Sequence, residues 1–103
     1  MNISDDNINK IKDLCFKHKV KELYLFGSVL SDNFQPASDI DLLVEFSGVN
    51  LMDYFDNFMK FKNDLESLLG RNVDLVENQA IKNPIFRRSV DRSKQLIYGR
   101  EIA

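Results

Sequence analysis

Residues 39–46, with the sequence DIDLLVEF, carry the pattern that most constrains how this chain can fold. The two sets of alternate positions are Ile40, Leu42, Val44 and Phe46 on one side, and Asp39, Asp41, Leu43 and Glu45 on the other. Because successive side chains of a strand point to opposite faces, this alternation predicts a β-strand with one fully apolar face. Asp39 and Asp41 then project together from the opposite face, at the head of a segment that is otherwise typical of a core.

Helical and strand patterns alternate along the rest of the chain. The other predicted elements are helices over 4–18, 51–69 and 84–94, strands over 20–26 and 72–77, a strand or helix end over 95–99, and a short helix or turn at 28–32. The helix between the strands at 39–46 and 72–77 is typical of a parallel crossover, whereas the loop before Asp39 permits antiparallel pairing. We therefore predict an α/β (α+β) fold, in which helices pack against a small mixed β-sheet.

The length and composition predict one globular domain over residues 1–103. The chain is 44% hydrophobic and 29% charged, and its net charge of −2, with no strongly basic face, argues neither for nor against a nucleic-acid surface. We expect no direct nucleic-acid partner. No apolar run is long enough for a membrane span. The single Cys15 cannot form an internal disulfide and the acidic N-terminus is not a secretory signal, so we expect a cytoplasmic protein.

Asp39 and Asp41 are spaced as a metal-dependent phosphate site requires. Two such side chains on a strand lie about 7 Å apart along the chain, and they repel unless a cation lies between them. Mg²⁺ prefers hard oxygen ligands, and two metal ions can hold the attacking and leaving oxygens of a displacement at phosphorus. Asp74 alternates with Val73 and Leu75, so pairing of its strand beside 39–46 places it next to Asp41, where it completes the metal site or accepts a proton.

Gly27 and Ser28 follow the predicted strand at 20–26. A glycine lets the backbone turn tightly and lets a phosphate approach, and the N–H groups of a following helical turn favour an anion. Singly, these residues also fit an ordinary strand end, and Asp41 fits a solvated strand position. The joint pattern predicts a site that binds a nucleoside triphosphate through its metal-bound phosphates.

The spacing Gly27-Ser28, ten residues, Asp39-Ile40-Asp41 and a later Asp74 resembles the motif of the DNA polymerase beta-like nucleotidyltransferase superfamily, and more narrowly its minimal, single-domain (MNT) members. The resemblance covers nearly the whole chain and implies the nucleotidyltransferase (polymerase beta-like) fold. It also implies two Mg²⁺ ions held by the three aspartates, ATP as nucleotide donor, and a triphosphate held by Gly27 and Ser28. Asp74 would in addition activate the acceptor hydroxyl.

Minimal MNT proteins are similar to antitoxins encoded beside HEPN-domain toxins, which are RNases. The resemblance therefore implies a protein adenylyltransferase that transfers AMP to a tyrosine of a HEPN toxin and neutralises it. The small size favours this acceptor, because larger relatives carry an extra domain that holds an antibiotic or a nucleic acid. Two alternatives stay open: an antitoxin that acts by complex formation without catalysis, and transfer to a small molecule such as an aminoglycoside.

The segment after Gly27-Ser28 departs from the family pattern. Many members continue with a basic residue and a further glycine, whereas residues 29–32 are VLSD. Either the triphosphate is held more weakly or a cation comes from elsewhere. The candidates are Arg87, Arg88 and Arg92, although a solvated helix face or a partner contact also explains them.

Other conspicuous side chains have simpler interpretations. We predict that the lone His18 lies at the surface and that Cys15 is a small core residue. The aromatic stripe predicted to be core consists of Tyr54, Phe55, Phe58 and Phe61. Any exposed part of it would offer a surface for a homo- or hetero-oligomer.

Overall fold

The computed structural model describes residues 4–26 and 39–99, which hold three α-helices and four β-strands. The helices are α1 (Asp5–Lys17), α2 (Leu51–Leu69) and α3 (Pro84–Ser93), and the strands are β1 (Val20–Phe26), β2 (Ile40–Phe46), β3 (Val73–Glu77) and β4 (Gln95–Tyr98). A short 3-10 helix, Asn78–Ala80, follows β3. The predicted elements in these ranges are confirmed to within one residue at each end. The predicted short helix or turn at 28–32 lies outside the described residues.

The four strands form one mixed sheet in the order β3-β2-β1-β4. β1 runs antiparallel to both β2 and β4, and β2 runs parallel to β3. The parallel pair is joined through α2, because parallel neighbours need a crossover that returns the chain to the same end of the sheet. The predicted fold class, helices packed against a small mixed sheet, is confirmed.

The helix ends follow local sequence signals. Ser4 caps α1 by accepting a hydrogen bond from the Asn7 N–H at 3.2 Å. Gly70 ends α2 with a φ of 66°, a left-handed conformation that glycine adopts without steric cost. Asn83 caps α3 by accepting from two backbone N–H groups, at 2.8 and 3.1 Å, and Pro84 occupies the first helical position.

Each face of the sheet has its own apolar cluster. The larger one, beneath α1 and α2, includes Ile11, Cys15, Leu23, Leu42, Phe61 and Leu65. The smaller one, beneath α3, consists of Phe26, Leu43 and Val90 with their partly buried neighbours. Cys15 is confirmed as a core residue, and burial raises the pKa of its thiol to about 12. In the described part of the chain, no helix is both long and apolar enough to cross a bilayer.

His18 is buried, so its predicted surface position is wrong. Its exposed fraction is 6%, and its ring contacts the Phe61 ring with centroids 5.5 Å apart. The Nε2 atom lies 2.9 Å from Asp64 Oδ2, and Nδ1 lies 3.3 Å from Asn57 Oδ1. Sequence reasoning missed this site because both partners belong to α2, about forty residues away, and only tertiary packing brings them together.

The aromatic stripe of α2 is core only in part. The rings that pack around Phe46, with centroids between 5.5 and 6.3 Å from it, are Tyr54, Phe58 and Phe61. Phe55 is instead 72% exposed, so its assignment to the core is wrong. It lines an open apolar groove between α2, the edge strand β3 and the 3-10 helix that follows β3.

Candidate active site

Asp41 and Asp74 lie side by side at the start of two parallel strands. Asp41 is the second residue of β2, Asp74 is the second residue of β3, and the two are register partners in the sheet. Neighbouring strands are about 4.8 Å apart. Asp41 alternates with the buried Ile40 and Leu42, and Asp74 alternates with the buried Val73 and Leu75, so both carboxylates leave the sheet on the face opposite the larger core. The predicted pairing of the two strands is confirmed.

Asp39 is exposed and comes directly before the first residue of β2. Asp41 is half-buried and Asp74 is exposed, so a pair of hard oxygen ligands stands at an accessible place, as Mg²⁺ requires. Among residues 4–26 and 39–99, no three acidic, histidine or cysteine side chains already converge as a metal site. Carboxylates repel one another until a cation joins them. The metal site of three aspartates therefore stays a prediction.

A row of three residues crosses the sheet at this point. Phe26 on β1 pairs with Asp41, and Asp41 pairs with Asp74. Phe26 is also the last described residue before Gly27 and Ser28, the predicted triphosphate-binding residues, which lie outside the described ranges. The end of β1 and the beginnings of β2 and β3 therefore meet at one end of the sheet, where the carboxylates are exposed.

A polar network around Asn78 holds helix α3 over the face of the sheet opposite the larger core. The Arg87 guanidinium donates to the Asn78 side-chain oxygen at 2.7 Å and to the Asn78 carbonyl, and it also lies 3.7 Å from an Asp91 oxygen. The Asn78 amide in turn donates to Glu45 of β2 at 3.2 Å. Arg87 therefore ties α3 to the turn after β3. Its guanidinium is already engaged by protein groups, whereas Arg88 and Arg92 are exposed.

The far end of α3 carries a second set of charges. Lys94 contacts Asp91 at 3.0 Å and lies over the ring of Tyr24, 4.6 Å from its centroid. The Lys94 ammonium lowers the pKa of the Asp91 carboxyl. Partial burial, followed by the nearby Glu22 carboxylate, raises the pKa of the Tyr24 hydroxyl. These groups fix the C-terminal turn of α3 against β1, while Phe86 in its first turn contacts Phe26, the register partner of Asp41.

Sequence reasoning missed two residues that shape this face. Nothing local to Asn78 marks it, because its partners come from β2 and α3. Phe86 packs its ring against Phe26 in an edge contact, with centroids 6.2 Å apart, yet remains 43% exposed. The spacing of Phe86 and Val90, one helical turn apart after Pro84, was an available signal that both face the sheet.

Comparisons with known proteins agree on one family. Residues 9–103 match the profile of the family described as "Polymerase beta, Nucleotidyltransferase". A candidate protein adenylyltransferase of Methanocaldococcus jannaschii is 40% identical over 99 residues, which cover 88% of this chain and 96% of that protein. Sequence similarity therefore extends over nearly the full length of both chains.

Solved structures give the same fold. One similar chain, from a toxin–antitoxin structure with AMP-PNP, has a TM-score of 0.70 at 26% identity and covers 92% of this chain and 75% of its own length. Another belongs to the structure of a tri-AMPylated Shewanella oneidensis HEPN toxin in complex with an MNT antitoxin. It has a TM-score of 0.65 at 24% identity and covers 95% of this chain and 74% of its own, a likeness of fold.

Proposed function

Because the chain belongs to the polymerase beta nucleotidyltransferase family, we propose that it is a Mg²⁺-dependent protein adenylyltransferase and an antitoxin. It transfers AMP from ATP to a tyrosine hydroxyl of a HEPN-domain RNase toxin and so neutralises that toxin. The observation that carries the proposal is the register of Asp41 and Asp74 on adjacent parallel strands, which gives the family's carboxylates a common, accessible face. The adenylyltransferase relative and the toxin–antitoxin neighbours support the choice of donor and acceptor.

The proposed roles are those that the family resemblance implies for these residues, and the pairing of Asp41 with Asp74 supports them. Asp39, Asp41 and Asp74 hold two Mg²⁺ ions, which supply charge neutralisation at the phosphate oxygens when bound. Asp74 takes the proton of the tyrosine hydroxyl as that oxygen forms its bond to the α-phosphorus. The bond from the α-phosphorus to its bridging oxygen breaks, and pyrophosphate leaves with the electron pair. Gly27 and Ser28 hold the triphosphate.

We also place this activity in a single minimal domain spanning residues 1–103 and in the cytoplasm. An unpaired, buried Cys15 suits a reducing compartment, where ATP and Mg²⁺ are available. In this arrangement the toxin brings its own surface to the carboxylates.

The test is incubation of the purified toxin and this protein with Mg²⁺ and ATP labelled at the α-phosphate. We expect label on the toxin, and the intact mass of the toxin gives the nucleotide and the number transferred. The double variant Asp39→Ala/Asp41→Ala should lose transfer by at least about 100-fold, because it removes the metal ligands. A matched control, Asp53→Ala/Asp56→Ala, removes two exposed carboxylates of α2 and should retain transfer. An unlabelled toxin, under conditions in which an active relative labels its own, refutes the catalytic role.

One observation favours a second candidate, an antitoxin that neutralises its toxin by complex formation alone. No basic residue follows Gly27-Ser28, and the candidate replacement Arg87 is already bonded to Asn78. The same double variant separates the two functions. Neutralisation that survives Asp39→Ala/Asp41→Ala supports binding, whereas neutralisation lost together with label transfer supports catalysis.

A further inference from the structure

We propose that Phe86 is the platform on which the base of the nucleotide donor stacks, and that it contributes to how tightly the donor is bound. The inference rests on the proposed nucleotidyl transfer and adds the base-binding residue to it. Phe86 lies in the first turn of α3. Its ring meets the Phe26 ring of the sheet at an inclined, edge-type angle, yet the residue stays 43% exposed.

The Phe86 ring lies close enough to Asp41 for one nucleotide to reach both. Phe86 contacts Phe26, with centroids 6.2 Å apart and ring planes inclined by 69°. Phe26 pairs directly with Asp41 across the antiparallel β1–β2 ladder. Adding the reach of the Phe26 side chain and one spacing between strands, about 5 Å, puts the Phe86 ring on the order of 10 to 15 Å from the Asp41 backbone. A base joined through its ribose to a phosphate at Asp41 can reach such a ring.

The order of residues across the sheet indicates whether Phe86 stacks on the donor's base or on the acceptor tyrosine. Phe26, Asp41 and Asp74 follow one another on β1, β2 and β3. Asp74, the proposed base for the acceptor hydroxyl, is therefore on the far side of Asp41 from the Phe26–Phe86 pair. An acceptor tyrosine that approaches Asp74 is directed away from Phe86, so the donor's base is the aromatic group that meets it.

The ring is also held in place before any ligand arrives. Asn83 caps the helix turn that carries Phe86, Arg87 is bonded to Asn78, and Val90 anchors the helix in the core beneath it. Because Phe86 packs against Phe26 and still stays 43% exposed, a base that stacks on its exposed part adds a second aromatic contact without displacing core side chains. Stacking on an aromatic side chain tolerates any base, so the platform adds affinity and only modest selectivity.

Tryptophan fluorescence gives a direct test, because the chain contains no tryptophan. In Phe86→Trp, binding of ATP with Mg²⁺ should change the emission of the single indole, whereas tripolyphosphate with Mg²⁺, which lacks a base, should not. Ile85→Trp is the matched control. Ile85 is adjacent to Phe86 and 76% exposed, but the ring that Phe26 contacts belongs to Phe86. Equal responses to ATP at both positions, or none at position 86 with saturating ATP, would overturn the platform.

Titration calorimetry without toxin tests the contribution to affinity. Phe86→Ala and Phe86→Leu should weaken ATP binding by about 5- to 100-fold, the range expected for loss of one stacked base, and should leave tripolyphosphate binding unchanged. Ile85→Ala should change neither. Phe86→Leu keeps an apolar contact with Phe26, so it separates stacking from folding. Unchanged ATP affinity in both variants, or an equal loss for tripolyphosphate, overturns the inference.

The two proposals fail in distinguishable ways. If ATP binds through Phe86 but no AMP reaches the toxin, the platform stands and the adenylyltransferase function fails. If AMP is transferred while Phe86→Ala and Phe86→Leu keep the affinity for ATP and raise the KM only for the toxin, the function stands and the ring instead belongs to the acceptor side.

Discussion

Asp41 and Asp74 interrupt strands whose neighbouring residues are buried, and their placement explains why the fold tolerates them. Each is the second residue of its strand, at the end of the sheet that α3 leaves accessible, so each keeps access to solvent. An ionised carboxylate in the middle of the same strands would carry a large desolvation cost. The position that keeps the desolvation cost of the carboxylates low is also the one that makes them accessible to a substrate.

Replacing Asp74 with asparagine should separate chemistry from folding. Asp74→Asn keeps the shape of the side chain but removes its proton-accepting charge, so we expect single-turnover AMP transfer to fall by about 10²- to 10⁴-fold. Because Asp74 is exposed, the free energy of unfolding, measured by thermal unfolding, should stay within about 0.5 kcal/mol of the wild-type value. Asp53→Asn on α2 is the control for loss of an exposed carboxylate. Transfer that persists within fivefold of wild type would remove Asp74 from the proposed chemistry.

His18 should matter for stability although it lies away from the aspartates. His18→Ala removes a buried ring packed on Phe61, together with the contacts of that ring to Asp64 and Asn57, so we expect a loss of about 2 to 3 kcal/mol. Urea unfolding followed by circular dichroism measures it. Lys12→Ala, at an exposed position on the same helix, should change stability by less than about 0.5 kcal/mol. Equal effects of the two substitutions would mean that the buried contacts contribute nothing.

At the scale of elements, the end of α2 is joined to β3 by a side chain as well as by the short turn at Gly70. Glu66 accepts a hydrogen bond from the Val73 N–H at 2.9 Å and from Lys62 at 3.3 Å. The Val73 N–H, helped by Lys62, lowers the pKa of Glu66 below its usual 4.5 despite some desolvation. This bond fixes where β3 begins, and therefore where Asp74 stands beside Asp41.

The acid dependence of stability should report this connection. Because the pKa of Glu66 is lower in the folded chain than in the unfolded one, its contribution is complete above about 4.5 and is lost as the pH falls through the folded value. Glu66→Gln should lower stability at pH 7 by about 1 kcal/mol, and the difference from wild type should shrink below pH 4. Thermal unfolding between pH 3 and pH 7 measures both. A difference that stays constant over this range would contradict the assignment.

Helix α3 shows how an element of modest apolar content can be positioned accurately. Among the described residues, the buried members of the smaller cluster are Phe26, Leu43 and Val90. Apolar packing alone therefore fixes the position of α3 only weakly. The Asn83 cap and the contacts of Arg87 and Lys94 supply the remaining constraints at its two ends. The first turn, which bears Phe86, is thereby held against Phe26, the register partner of Asp41.

At the scale of the whole molecule, Cys15 provides a probe of global opening. It is fully buried on the inner face of α1, and burial raises the pKa of its thiol to about 12, so native protein at pH 8 should react with iodoacetamide at least about 1,000-fold more slowly than unfolded protein. Mass spectrometry of timed aliquots follows the reaction. The control Cys15→Ala/Ser67→Cys places a thiol on the exposed face of α2 and should react readily. Rapid labelling of native Cys15 would mean that α1 detaches locally.

The sequence was sufficient for the elements because their signals are local. Alternation in β2 and β3 and the apolar period of α2 depend on residues within one or two turns, and the predicted elements are confirmed. The caps observed at Ser4, Gly70 and Asn83 are local in the same way. The mixed sheet followed from connection lengths, since a helix-bearing link leads to parallel pairing. The roles of Asp39, Asp41, Asp74, Gly27 and Ser28 remain predictions, because they depend on a bound nucleotide and metal.

What the sequence determined by itself was therefore the set of elements, the type of sheet and the pairing that brings Asp74 beside Asp41. Tertiary structure alone decided the burial of His18 against α2, the exposure of Phe55, and the seating of Phe86 on Phe26 next to Asp41. The physical reason is the distance along the chain over which each kind of interaction acts. Periodicity and capping act between neighbours in the chain, whereas burial and hydrogen-bond partners are set by segments that meet only when the sheet has formed and its two faces are covered.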